Sequence, residues 1–384
     1  MKIDIEQSYK SELSKRLNAS PDDLFLFWKG RVALYAILQA MGVGEGDEII
    51  LPAFTCVVVP NAIKYLKAKP VYVDIDPITY NVDPDQIESK ITEHTKVLIC
   101  QNTFGLSSNI EILLEIANRH HLYTIEDCTH GFGGSYEGKP NGSYCDAAFY
   151  STQWNKPFST GVGGFALVKN TDLHQKLIQV NESLEKTTLK DSISLSVLYF
   201  VREKILTNRR YWRMIKLYRW LSKYKLVQGS SSGIEIESTQ MPGHYFKGLS
   251  KTQMKKGLTN LKVLDTFLQR RKHNAEIYNK YLIEKGKTAV DQRLFSNHSF
   301  LKYPLLVKNR EEVLHLAETC QIPLGEWFCS PIHPVMDHWD LWDFDGDKFP
   351  NAVKFSALMV DLPTDIENVE PVLRFIDKIE DYIV

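Results

Sequence analysis

One lysine stands where two apolar runs are joined by a polar, glycine-closed loop. In FYSTQWNKPFSTGVGGFALV, residues 149–168, Ser151 ends one run, Lys156 follows five residues later, and Gly161, Gly163 and Gly164 lead back into the next. Glycines allow a tight backbone return, and loops at strand ends carry a large share of functional side chains. An amine kept there, desolvated or beside other cations, has its pKa depressed and becomes a nucleophile that forms an imine with a carbonyl compound. The plainer reading of any lysine is a solvated surface charge.

Two other segments carry chemistry. In TIEDCTHG, residues 124–131, a strand delivers Glu126 and Asp127 at its end, with His130 three residues later. These residues read either as a strand-ending turn or as a carboxylate that pairs with the ring nitrogen of pyridoxal phosphate, with His130 beside the ring. In KGRVAL, residues 29–34, a glycine opens a helix, either as an ordinary start or as a set of backbone N–H groups aimed at a phosphate, with Arg31 and Ser151 adding charge and a hydroxyl.

The elements that must position these residues alternate. Runs rich in β-branched residues at 47–51, 71–75, 96–101, 123–128, 146–151 and 164–168 predict strands, and 30–41, 57–68 and 109–121 predict helices. Such alternation implies an α/β fold with a mainly parallel sheet covered on both faces and ligands at the carboxyl ends of the strands. A large domain is expected over 1–245 and a smaller α+β domain over 246–384. The latter begins with helical period at 255–282 and includes a strand at 300–307, a helix at 311–320, a loop at 323–350 and a helix at 366–382. Residues 185–232 interrupt the rhythm, and 197–227 holds nine Lys or Arg against one acid, Glu203. This basic, aromatic stretch reads as an amphipathic helix packed on the fold or on a partner subunit, or as a peripheral membrane contact.

Composition narrows the function classes. The 384 residues carry 46 Lys plus Arg against 47 Asp plus Glu, a formal charge of −1, so no global field favours a nucleic acid. Six cysteines without a CxxC pair suit reduced thiols and a cytoplasmic protein, and no metal-ligand spacing occurs. The longest charge-free apolar stretch, 49–63, is too short for a membrane span. No GxGxxG follows the first strand, which speaks against a nicotinamide enzyme.

Together, GVGEGDEIILPAFT, AKPVYVDIDPITYNVDPDQIESKIT and the nearly continuous run from 125 to 168 resemble the DegT/StrS-type sugar aminotransferases, pyridoxal-phosphate enzymes of fold type I. The resemblance implies Lys156 as the Schiff-base lysine, Asp127 as the pyridinium partner, His130 beside the ring, and Ser151, Gly30 and Arg31 around the phosphate. It makes Cys56 a cofactor contact where the family often has a stacking aromatic residue. Lys247 becomes the cation that reaches a phosphate across a homodimer. Trp327 and His333, the latter in SPIHPV, fall on the substrate side. Implied partners are an amino-acid donor, glutamate, and a nucleotide-linked keto sugar destined for a surface polysaccharide or glycoside. Two alternatives remain open at this stage: a catalytically silent relative, and a sugar dehydratase, in which His replaces the lysine.

Overall fold

The computed structural model describes residues 4–202, 233–243 and 245–384. Most of the basic stretch at 197–227 lies outside the described residues.

The chain begins with a helix, α1 (Ile5–Leu17), and a strand, β1 (Leu24–Phe27). Alternating elements follow: α2 (Gly30–Ala40), β2 (Glu48–Pro52), β3 (Thr55–Cys56), α3 (Val58–Lys64), β4 (Lys69–Val73), β5 (Thr95–Gln101), α4 (Ile110–Arg119) and β6 (Tyr123–Asp127). A small hairpin, β7 (Ser135–Tyr136) and β8 (Lys139–Pro140), precedes β9 (Ala147–Ser151) and β10 (Gly164–Val168). Among the described residues, seven strands form one sheet in the order β1-β10-β9-β6-β5-β2-β4. Strands β4, β2, β5, β6 and β9 run parallel, as the alternation predicts. Strand β10 runs antiparallel to β9, and β1 antiparallel to β10.

Two reversals restore direction, so the carboxyl end of β1 lies on the same edge as those of β6 and β9. Gly164 pairs with both Ser151 and Phe27, which brings the start of α2 beside the ends of these strands. Alternate residues fill opposite faces: Phe25, Phe27, Phe149 and Ala166 join one core, and Leu24, Leu26, Tyr150 and Phe165 the other. Buried on both faces, these strands read as continuous apolar runs.

Beyond β10 come α5 (Thr171–Glu182), α6 (Leu189–Phe200), the short α7 (Gly233–Glu237), α8 (Lys251–Leu261) and α9 (Leu264–Glu284). The helical period read over 255–282 is therefore two helices, broken at Lys262 and Val263; the first begins at Ser250, which caps it through a capping box with Gln253. A two-stranded sheet of β11 (Tyr303–Leu306) and β13 (Met359–Leu362), with α10 (Arg310–Thr319) and α12 (Glu370–Lys378), builds a separate core around Tyr278, Tyr303, Val360 and Phe375. The segment expected as a loop over 323–350 holds a further strand, β12 (Ile332–His333), and leads into α11 (Pro350–Leu358). Its Phe328, Ile332, Trp342 and Phe349 pack into the first core. Strand β12 pairs in parallel with β3, His333 beside Cys56, which carries C-terminal residues to the sheet's functional edge.

Candidate active site

The loop that carries Lys156 is closed at its neck. Thr152 donates its N–H to the Gly163 carbonyl at 2.9 Å, Thr160 donates to the Thr152 carbonyl at 2.7 Å, and the two threonine hydroxyls share a 2.6 Å hydrogen bond. Gly161 has φ +80°, a conformation glycine adopts without strain. Asn260 of α8 and Arg271 of α9 donate to the carbonyls of Ser159 and Pro157 at 2.6 and 3.1 Å, so the loop is held by helices far away in sequence.

The Lys156 amine lies 4.3 Å from the centre of the Trp327 indole. Burial lowers its pKa to about 8, with Cys56 and Asp127 opposing that shift and Arg31 and Lys302 adding to it. Asp127 is 3% exposed at the end of β6, and its Oδ1 accepts the Thr129 N–H at 2.9 Å. Burial raises its pKa, against the pull of Thr129 and Lys156. His130 accepts the Phe104 N–H on Nδ1 at 3.2 Å, and burial, then Lys156, Lys302 and His333, hold its pKa well below the usual imidazole value. Neutral with Nδ1 as acceptor, it carries its proton on Nε2. Its ring is stacked on Trp327, with Phe328 beyond.

The start of α2 forms the other wall. A Cβ on Gly30 would stand 2.9 Å from the Ser151 Cβ and 3.0 Å from the Tyr150 carbonyl, so only glycine lets the helix approach the strand this closely. Lys29, the N-cap residue, makes no side-chain cap bond to the first turn. The Arg31 guanidinium, 5% exposed, is ion-paired with Glu235 of α7, which is fully buried. Burial opposes its charge, but Glu235 and Tyr245 outweigh that and hold it protonated. The side-chain charge expected to face a phosphate is thus already engaged by a carboxylate. Cys56, its thiol pKa raised by burial, lies within the fields of Lys156, Arg31 and Asp127. His333 Nδ1 accepts the Cys329 N–H at 3.2 Å, and burial, with Lys156 and Arg310, lowers its pKa to about 3.

Lys156, Asp127, His130, Ser151, Gly30, Arg31, Cys56, Trp327 and His333 therefore converge on one edge of the sheet. Lys247 is placed otherwise. Its ammonium is paired with Asp191, at the start of α6 of its own chain, at 3.1 Å, and the residue is 9% exposed. The sequence reading missed Lys29, Tyr245, Glu235 and Lys302. Their contacts to the site span as many as 216 residues, a distance at which local pattern carries no signal.

A family model for the DegT/DnrJ/EryC1/StrS aminotransferases matches residues 28–195 and 216–374. The chain belongs to that family. Membership assigns it pyridoxal phosphate as cofactor. A GDP-perosamine synthase of Escherichia coli O157:H7 is 29% identical over 286 residues, 74% of this chain and 65% of that relative. A GDP-perosamine synthase of Caulobacter vibrioides is 40% identical over 148 residues, 38% of this chain and 40% of that one. The matched part of the chain thus spans less than two thirds of either relative's length. In fold, this family member resembles the pyridoxamine-phosphate form of the sugar aminotransferase Spr1654 of Streptococcus pneumoniae, with a TM-score of 0.76 at 19% identity, covering 99% of this chain and 92% of that one. Residues 196–215, which overlap the first part of the basic stretch, fall outside the family match.

Proposed function

We propose that the protein is an aminotransferase that moves an amino group from glutamate to a keto sugar carried on a nucleotide. The observation that carries this reading is the convergence of a buried-edge lysine of lowered pKa, a buried strand-end carboxylate and a neutral histidine ring at one end of a mainly parallel sheet.

The donor set fits pyridoxal phosphate. Lys156 would hold its carbonyl carbon, Asp127 its ring nitrogen, and the backbone N–H groups of Gly30 and Arg31, with the Ser151 hydroxyl, its phosphate. When bound, the cofactor supplies an electron sink for the carbanion left when an amino acid loses its Cα proton.

The chain's own groups supply the rest. Lys156 Nζ, with a pKa of about 8, is partly neutral near neutrality and can take up the Cα proton and return it to the adjacent carbon. Asp127, pulled toward ionisation by a protonated ring nitrogen, keeps that proton in place. His130, uncharged, adds no competing charge. Trp327 lays apolar surface against the amine, which limits water's access to the proton's path. His333 and Trp327 would meet the substrate, the role the family resemblance implies for them.

Two half-reactions test the reading. Protein loaded with pyridoxal phosphate and mixed with glutamate is expected to release one 2-oxoglutarate per site, and then to aminate a GDP- or UDP-linked keto sugar. Loaded protein that releases no keto acid from any amino acid would overturn it.

A further inference from the structure

The start of α2 holds more positive charge than its neighbours balance. Lys29 is 5% exposed, and among the described residues no carboxylate lies within 4.0 Å of its ammonium. It donates instead to the Tyr245 hydroxyl, lies 4.0 Å from the centre of that ring, and stands beside a second cation, Arg31. The Tyr245 hydroxyl donates to Glu235 Oε2 at 2.6 Å, and Glu235 Oε1 is taken by Arg31. The cluster's one carboxylate is therefore spent on Arg31 and Tyr245. A buried cation without a counter-ion is costly, and proteins tolerate one chiefly where an anion completes it. A second polar group nearby is also unmatched: the Tyr65 hydroxyl is buried with no hydrogen-bond partner, and it feels the charges of Glu235 and Arg31. Lys29 is itself the N-cap residue of an 11-residue helix, and no side-chain cap hydrogen bond closes that helix's first turn.

We propose that Lys29 is the counter-ion of a phosphate dianion seated on the first turn of α2, held in position by the Tyr245 hydroxyl. This rests on the reading given above, in which that phosphate is the cofactor's; the diphosphate of a nucleotide sugar has the same chemistry. Burial and Arg31 lower the pKa of Lys29 to about 7, against Glu235, so an arriving dianion raises the fraction of the amine that is protonated, the proton coming from solvent. Binding then takes up a proton from solvent and gives the ammonium, costly to bury alone, its counter-ion.

The test measures affinities of pyridoxal phosphate, pyridoxal, inorganic phosphate and uridine diphosphate for wild type, Lys29→Met and Lys29→Gln. Methionine removes a buried charge at similar volume and should leave folding intact, with glutamine as the polar control. Lys29→Met is expected to weaken pyridoxal phosphate about tenfold or more while leaving pyridoxal unaffected, as loss of a charge-assisted hydrogen bond predicts. At pH 7 wild type should take up about half a proton more per phosphate bound than Lys29→Met, by calorimetry in buffers of different ionisation enthalpy. Lys29 dependence confined to uridine diphosphate would support the proposal with the sugar nucleotide as the source. Wild type that reacts with neither pyridoxal compound would refute the cofactor reading, and Lys29 dependence of inorganic phosphate and uridine diphosphate would still decide this one. Affinities for all phosphate ligands that are unchanged in both variants, or equal losses for pyridoxal and its phosphate, would overturn it.

Discussion

Trp327 and His130 stack with ring centroids 4.8 Å apart and planes 9° from parallel, while the Lys156 amine sits over the same indole. The backbone N–H of Trp327 is fixed at 2.8 Å by Asp361 Oδ2, a fully buried carboxylate of β13, so the C-terminal sheet sets the position of a ring against the lysine. A cation over an indole face favours the charged amine.

Replacing Trp327 by Leu should therefore lower the pKa of Lys156, by roughly half a unit if the contact contributes about 0.5–1 kcal/mol. Trp327→Phe should retain most of the wild-type value. Chemical modification of Lys156 followed by mass spectrometry across pH gives the midpoint directly.

The same titration tests Asp127. Its carboxylate stabilises the ammonium and thus raises a pKa that burial has lowered to about 8. In Asp127→Asn the amine loses that support, so the pH midpoint for modification of the cofactor-free protein moves below the wild-type one. An upward shift would mean that Asp127 does not face the amine.

Gly164 tests the contact between strand and helix. A Cβ there would run into the backbone of Gly30 and Lys29, neither of which is the movable end of a side chain. Gly164→Ala should cost about 1–3 kcal/mol in urea unfolding, the usual penalty for overpacking, and weaken pyridoxal phosphate more than pyridoxal as the first turn of α2 is pushed off Ser151.

Glu235 and Arg31 form a buried pair, so removing one partner leaves the other uncompensated. Glu235→Ala is expected to destabilise the fold by about 3–5 kcal/mol, whereas Arg31→Met combined with Glu235→Leu should recover most of the loss. A double-mutant cycle in denaturant measures the coupling. Independent, additive effects would contradict the pairing.

The sheet and the lysine loop are legible in the sequence because their signals are local. Parallel strands buried on both faces appear as β-branched runs, and Lys156 follows Ser151 by five residues in one continuous segment. Asp127 and His130 share one strand end for the same reason. Strand β1, four apolar residues in a row, has no period that separates it from a buried helical turn. The break between α8 and α9 is hidden because helical spacing continues on both sides of it. Lys29 reads as a surface charge until Tyr245 is brought against it from 216 residues away, and Arg31 reads as a phosphate ligand until Glu235 takes its guanidinium. Trp327 was legible as a residue of the site, but its stack on His130 depends on β12 adding to β3. Tertiary pairing of this kind leaves no trace in the spacing of either segment.

The central claim, that Lys156 is the amine that holds pyridoxal phosphate, is tested most directly by borohydride reduction of the loaded protein and peptide mapping. The account predicts one reduced cofactor per chain, attached to the peptide containing Lys156, and none in Lys156→Ala. A label on another lysine, or equal labelling of the variant, would contradict it.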